Sequence, residues 1–346
     1  MLNVNAIYEY IKSSFVVEKE IDDNHIVCIL KIGGKKVAQA EKSRRKVKWQ
    51  IGGIKFSRKI AVKFPFTSQE RAYQNSINKK CKVVAIFAGY ADNGRISEHS
   101  LYYLQQLKKV CDAIVFISDN PIIPIEISKI KEIVDYACFR HHGEYDFGSY
   151  KRGYIYARQN HLLDDCQTLI LCNDSCYGPI YPLKDVLKKM AAKNADFWGL
   201  NDSTEIRYHL QSYFLAFGDK VIANGDLYNF LKKVRKEKTN TDVVLKYETR
   251  LTEYLKNKKY VSACYLPAKI NEFEETFKKL NCVNKTLVCP KTLIDKYHFP
   301  LLKIKVFAHI FDHLLQENKP SILDCVKSVN SELYEIIVKD INKRFS

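Results

Sequence analysis

The chain has 346 residues, 46% of them apolar and 12% aromatic, so it can bury a substantial core and is no disordered polymer. Its 56 Lys and Arg against 39 Asp and Glu leave a formal charge of +17, which favours a polyanionic partner. No run approaches the roughly 20 apolar residues that span a bilayer, and the eleven cysteines contain no CxxC pair, which argues against a zinc module. The odd cysteine count, together with an N-terminus lacking a basic segment followed by an apolar one, is what reduced thiols in a cytosolic enzyme would show.

Residues 1–80 read as a basic, β-rich N-terminal appendage. Segments 26–32 and 46–51, each followed by a Gly-Gly pair, have the pattern of short strands, and 55–65 continues the alternation. From Lys31 to Lys63 twelve bases stand against the single acid Glu41. Such a block can bind nucleic acid, anionic lipid head groups or a polyanionic substrate, and a solvated basic face with no specific partner is the plainer reading. Nucleic acid is a weaker reading, because no RRM, KH, zinc-finger or helix-turn-helix signature accompanies the charge. From Lys82 the pattern changes. Val83–Ala88 and Ala113–Ser118 are continuous apolar strands flanking a helix capped by Ser97, and 133–139 is a third strand after a short helix from Ser128. A helix over 149–163 leads to a strand at 168–172. Helices are expected at 182–194, 226–236 and 241–257, and strands at 196–200, 208–217 and 260–265. Beyond Pro267 the chain is mostly helical. The alternation predicts an α/β protein: a doubly wound mixed sheet with helices on both faces, occupying 81–310, and a helical C-terminal extension over 311–346.

The candidate site lies where these strands end, because ligands of open α/β sheets bind beyond the carboxyl ends. The strand at 168–172 runs into Asn173-Asp174-Ser175, where a carboxylate on Asp174 could hold a divalent cation such as Mg²⁺ or Mn²⁺ against a phosphate. An Asx turn is the plainer reading of the same triplet. Gly89 and Tyr90 end the first strand, where glycine admits close approach of a ligand and an aromatic can stack on a base. Asp119 ends the second strand and could accept hydrogen bonds from a ribose. In His141-His-Gly-Glu-Tyr-Asp-Phe-Gly-Ser-Tyr-Lys-Arg-Gly153, Asp146, Lys151 and Arg152 set one acid and two bases beside a helix start, a natural phosphate site.

Five short segments occur in an order that resembles the rhamnan synthesis protein F family of bacterial polysaccharide glycosyltransferases. They are Tyr145–Gly153, Leu171–Pro179, Asp196–Leu200, His209–Phe214 and Tyr247–Thr252, and the resemblance covers roughly 80 to 310. It implies a GT-A-like fold and a nucleotide-sugar donor (dTDP-L-rhamnose, or a UDP- or GDP-sugar). It also implies an inverting transfer to a lipid-linked oligosaccharide or cell-surface polysaccharide, at the cytoplasmic face of the plasma membrane. Asn173-Asp174-Ser175 falls where GT-A enzymes carry Asp-x-Asp, so only one of the two carboxylates is retained. On this reading Gly89, Tyr90 and Asp119 bind the nucleotide, and Asp146, Lys151, Arg152, Asn173 and Asp174 serve the diphosphate. Glu248 is the candidate general base, with Asp202 and His209 as alternatives. A second reading, a non-catalytic glycan- or partner-binding protein with a decayed metal site, follows from the weakened triplet.

Overall fold

The computed structural model describes residues 15–21, 26–32, 35–43, 46–51, 54–59, 71–74, 80–267, 269–280 and 284–345, and the chain divides into two compact units, 1–67 and 68–346. The first unit is an antiparallel meander of β1 (Phe15–Ile21), β2 (Ile26–Ile32), β3 (Lys35–Ser43), β4 (Lys46–Ile51) and β5 (Ile54–Lys59), paired in sequence order. The segments expected at 26–32 and 46–51 are strands with those bounds; 60–65, and with it Lys63, lies outside the described residues. β3 escapes a propensity reading because Lys, Gln, Ala and Glu, all weak strand formers, dominate it. Alternate residues of a strand share a face, and the β4–β5 register sets Val47, Trp49 and Ile51 in line with Ile54, Phe56 and Arg58. Lys46, Lys48, Lys55 and Lys59 occupy positions of the opposite face.

In the second unit the strands are β6 (Arg71–Gln74), β7 (Val83–Gly89), β8 (Ala113–Ser118), β9 (Tyr136–Phe139), β10 (Thr168–Asn173), β11 (Cys176–Tyr177), β12 (Phe197–Gly199), β13 (Asp202–Ser203), β14 (His209–Leu210), β15 (Phe214–Gly218), β16 (Ser262–Cys264) and β17 (Leu302–Lys303). Eight of them form one mixed sheet in the order β16-β12-β15-β10-β7-β8-β9-β6. β10, β7, β8 and β9 run parallel, whereas β15 lies antiparallel between β10 and β12. The apolar runs of β7 and β8 are buried on both faces, as parallel strands require. Ala85 and Phe87 of β7 join one core with Tyr103, Leu104 and Leu107 of helix α1 (Glu98–Lys108). Val84, Ile86 and Ala88 join another with Phe147, Tyr150 and Tyr154 of helix α2 (Tyr145–Gln159). Helices cover both faces, so the sheet is doubly wound.

Strand order places the site. From β7 the chain steps to β8 and β9 on one side and then returns to β10 on the other, so the order reverses between β7 and β10. That junction is a topological switch point, where a crevice opens beyond the carboxyl ends.

Some expectations shift. The helix anticipated over 149–163 begins at Tyr145, because Gly148 is a helix-packing residue and not a turn residue: a Cβ there would stand 2.2 Å from Glu144 Cβ. The strand anticipated over 208–217 breaks into β14 and β15, since Gln211 bonds Asn201 and Ser212 turns to Glu248. The short helix expected from Ser128 is a 3₁₀ turn over Pro124–Lys129, with proline at its start. Helix α3 (Leu183–Ala191) is shorter than the expected 182–194. The segment 241–257 carries a single π turn, Val244–Glu248, ahead of helix α4 (Thr249–Asn257).

Two C-terminal helices, α5 (Lys319–Val329) and α6 (Ser331–Phe345), build a third core. Ile322, Val326, Leu333 and Ile337 bury against Tyr102 of α1 and Tyr177 of β11. Among the described residues no helix is long and apolar enough to cross a membrane.

Candidate active site at the β7–β10 switch point

Asp174 leaves β10 beside the end of β7 and locks the two strand ends together. Its Oδ2 accepts the Tyr90 backbone N–H at 2.6 Å, and its own N–H donates to the Ala88 carbonyl at 3.2 Å. Gly89 is the residue between them. A Cβ there would lie 2.5 Å from Phe116 Cε2, so only glycine lets β7 end against β8 at this spacing. Tyr90, at this strand end, is 55% exposed. Asn120 holds the following loop: its Oδ1 accepts the Ala91 N–H at 2.8 Å and the Ser118 hydroxyl at 2.8 Å.

Asn173 links Asp174 to α2. Its Nδ2 donates to Asp146 Oδ2 at 2.7 Å, while its Oδ1 accepts from the Ser175 N–H at 3.1 Å and the Ser175 hydroxyl at 2.6 Å. The triplet is therefore an Asx turn and a site corner at once. Asp146 stands in the first turn of α2, half-buried. Burial, and after it the charges of Asp174 and Glu248, push its carboxyl up to about 7. Burial likewise raises Asp174 to about 6, against the opposing pull of the Tyr90 N–H and the Arg344 charge.

Glu248 closes the π turn, a helix irregularity common at functional sites. The Ser212 hydroxyl donates to its Oε2 at 2.6 Å, and His209 Nε2 lies 3.4 Å from its Oε1. Burial acts upward on Glu248, but the bonds from His209 and Ser212 and the charge of Lys303 outweigh it and hold the carboxyl below its usual range. His209 Nδ1 meets the Arg207 carbonyl at 2.8 Å; burial would lower this imidazole, yet Glu248 holds it above its ordinary value. Lys303 of β17 reaches over the Tyr213 ring at 4.5 Å, its ammonium weakened by burial. Beside the same helix, one turn beyond Glu248, a groove of about 320 Å³ is lined by Arg207, Tyr208, Thr252, Glu253, Lys256 and Asn257.

The structure thus brings together Gly89, Tyr90, Asp146, Asn173 and Asp174, and sets Glu248, with His209 beside it, within electrostatic reach of Asp146. Asp119 stays beside Gly89, its N–H donating to the Gly89 carbonyl at 3.1 Å, and the other candidates are held by partners of their own. Asp119 Oδ1 accepts the His142 and Gly143 N–H groups at 2.6 and 2.7 Å, so it orders the loop before α2. Lys151 and Arg152 both pair with Glu144, each at 2.6 Å, and Lys151 also donates to the Val234 carbonyl. Asp202 forms a buried ion pair with Lys285 at 2.6 Å. Sequence reasoning missed Lys303 and Arg344, which carry no local motif, and the role of Ser212, which lies inside the His209–Phe214 segment but meets Glu248 only through the tertiary fold.

A divalent cation fits these residues poorly. Among the described residues no group of three His, Cys, Asp or Glu side chains is arranged to hold a metal. Asp174 spends one oxygen on Tyr90, and Asn173 turns its amide oxygen to Ser175.

The family model described as rhamnan synthesis protein F matches residues 114–344. The chain is 29% identical over 199 residues to virulence protein VirA of Vibrio anguillarum, covering 54% of this chain and 60% of that protein. It is 24% identical over 192 residues to an uncharacterized protein, y4gN, of Sinorhizobium fredii, covering 54% of this chain and 49% of the relative. The match therefore spans only about half to three-fifths of the length of these relatives. Among solved structures, a cytidylyltransferase from Leptospira borgpetersenii aligns at a TM-score of 0.32 and 9% identity, over 55% of this chain and 78% of that one.

Proposed function

The chain belongs to the rhamnan synthesis protein F family, and from that premise we propose that it is a glycosyltransferase. It moves a sugar, L-rhamnose or another deoxysugar, from a nucleoside diphosphate donor to a polysaccharide or lipid-linked glycan. The observation that carries this reading is the convergence of Asp146, Asp174 and Glu248 at the β7–β10 switch point. These carboxylates come from a helix start, a strand end and a π turn, and only the fold gathers them.

In this proposal the exposed Tyr90 ring stacks on the nucleotide base and the Gly89 backbone lies against the ribose-diphosphate. The acceptor enters from the side of Glu248 and the groove at Tyr208. Its hydroxyl oxygen bonds to the sugar C1 as the bond from C1 to the diphosphate oxygen breaks, with inversion. The hydroxyl proton passes to Asp146, whose carboxyl near 7 matches a base working at neutral pH. Glu248, ionised and held by Ser212 and His209, orients the acceptor. The basic N-terminal unit lies against an anionic membrane surface, as a lipid-linked acceptor would require.

The Asx turn closed by Asn173 and Ser175 also suits the second reading, a glycan-binding protein without turnover. The two separate by release of nucleoside diphosphate from a panel of dTDP-, UDP- and GDP-sugars. One donor is expected to be hydrolysed slowly without acceptor, and Asp174→Ala should reduce that turnover about 100-fold or more, while Glu248→Gln should reduce transfer to a glycan acceptor by a similar factor. Silence across the panel, both alone and with glycan acceptors, would decide for the binding protein.

A further inference from the structure

Resting on the transferase reading, we propose that Arg344, in the last turn of α6, is the cation that receives the donor's diphosphate, in the place a divalent metal would otherwise hold. A diphosphate at the β7–β10 crevice would bring its negative charge beside Asp146 and Asp174, so the site needs a cation. Lys151 and Arg152 are tied to Glu144, and Lys303 lies on the Glu248 side of the site.

Arg344 is delivered by a chain of contacts. α6 crosses α1, with Lys339 paired to Glu98 at 2.5 Å. The Tyr177 hydroxyl donates to Asp340 Oδ2 at 2.8 Å, and Arg344 Nε donates to the same oxygen at 2.5 Å. Asp340 Oδ2 also stands 3.8 Å from His99 Nδ1, and His99 Nε2 lies 3.2 Å from the Asp174 carbonyl oxygen. Burial lowers the His99 imidazole to about 4, so it is neutral and adds no positive charge of its own. Arg344 and Asp174 already sense each other's charge. Asp340 is engaged through Nε, which among the described residues leaves the two terminal amino groups of a planar, permanently charged fork suited to phosphate oxygens. The Arg344 side chain is 34% exposed, so a ligand can reach it. The family match runs to residue 344, and α6 accordingly belongs to the shared architecture.

The test is calorimetric titration of the full chain with dTDP, UDP and GDP, and with the matching nucleosides, in Mg²⁺ and in EDTA. The protein should bind one nucleoside diphosphate equally well in both. Arg344→Gln should weaken that binding about tenfold or more while leaving the nucleoside unaffected. Arg344→Lys keeps the charge and an ion pair to Asp340 but not the fork, and should weaken binding about threefold. It is the deciding variant should glutamine loosen α6. Unchanged diphosphate affinity in the variants, or loss of binding in EDTA, would overturn the assignment and leave the transferase reading standing. Failure of the unmodified protein to bind any nucleoside diphosphate would overturn both.

Discussion

Asp146→Asn is expected to cut turnover steeply and at the same time to stabilise the protein at pH 8. The carboxyl titrates at about 7 in the fold against 3.8 in the unfolded chain, because burial and the neighbouring Asp174 and Glu248 charges disfavour its ionised form. The native state therefore binds the proton more tightly. Stability is undiminished below pH 4, falls as pH rises through the window from about 4 to about 7, and bears the full cost of the ionised group above it. Asparagine keeps an acceptor for Asn173 and removes that cost, worth on the order of 2 kcal/mol at pH 8 once sharing among the three carboxylates is allowed for. Denaturant unfolding at pH 8 and pH 4 measures it: the gain should be clear at the higher pH and nearly absent at the lower. Turnover should fall by about 10²–10⁴-fold, as loss of a general base implies. In the unmodified protein turnover should decline on the acid side with an apparent pKa near 7, a value that belongs to the carboxylate cluster as a whole. A destabilised but active Asp146→Asn would assign the residue to structure alone.

Lys285→Ala should be among the most damaging single substitutions for stability. Lys285 Nζ bonds Asp202 Oδ1 at 2.6 Å and the Pro267 carbonyl at 2.9 Å, and the two side chains are only 2% and 11% exposed. Removing the ammonium leaves a buried carboxylate without its counter-ion, at a cost of about 3–5 kcal/mol. The double variant Lys285→Met/Asp202→Leu removes both charges and should recover most of that loss, since replacing a buried pair by apolar groups is often nearly neutral. The unfolding free energies of the two variants make the comparison. If Lys285→Ala costs under about 1 kcal/mol, the pair is solvated and Asp202 is again available to the chemistry.

Much of the frame was legible in the chain. The continuous apolar runs Val83–Ala88 and Ala113–Ser118, short and bounded by turn residues, read as strands buried on both faces, and the helix between them is fixed by Ser97, whose hydroxyl accepts the Ser100 N–H as an N-cap does. The carboxyl-end corner at Asn173–Ser175 was legible for the same reason, because an apolar run that stops in turn residues marks where a strand leaves its sheet. Illegible were the partners each polar residue chooses. Nothing local tells Lys151 and Arg152 to turn back onto Glu144, or Asp202 to meet a lysine 83 residues away. The same holds for Ser212, read as part of a strand but bonded to Glu248 because the strand breaks there. The C-terminal helices read as an extension, yet Tyr177 and Asp340 bond across 163 residues and bring α6 to the edge of the site. Such pairings arise from topology, and a linear pattern carries no record of them.

The most direct test of the proposed site is amide hydrogen exchange with and without the nucleotide sugar that gives the highest turnover. Donor binding at the switch point predicts added protection at Gly89–Ala91, at Asp174–Cys176 and in the first turn of α2. Protection confined to the Tyr208 groove, or none at the β7 and β10 ends despite saturation, would contradict it.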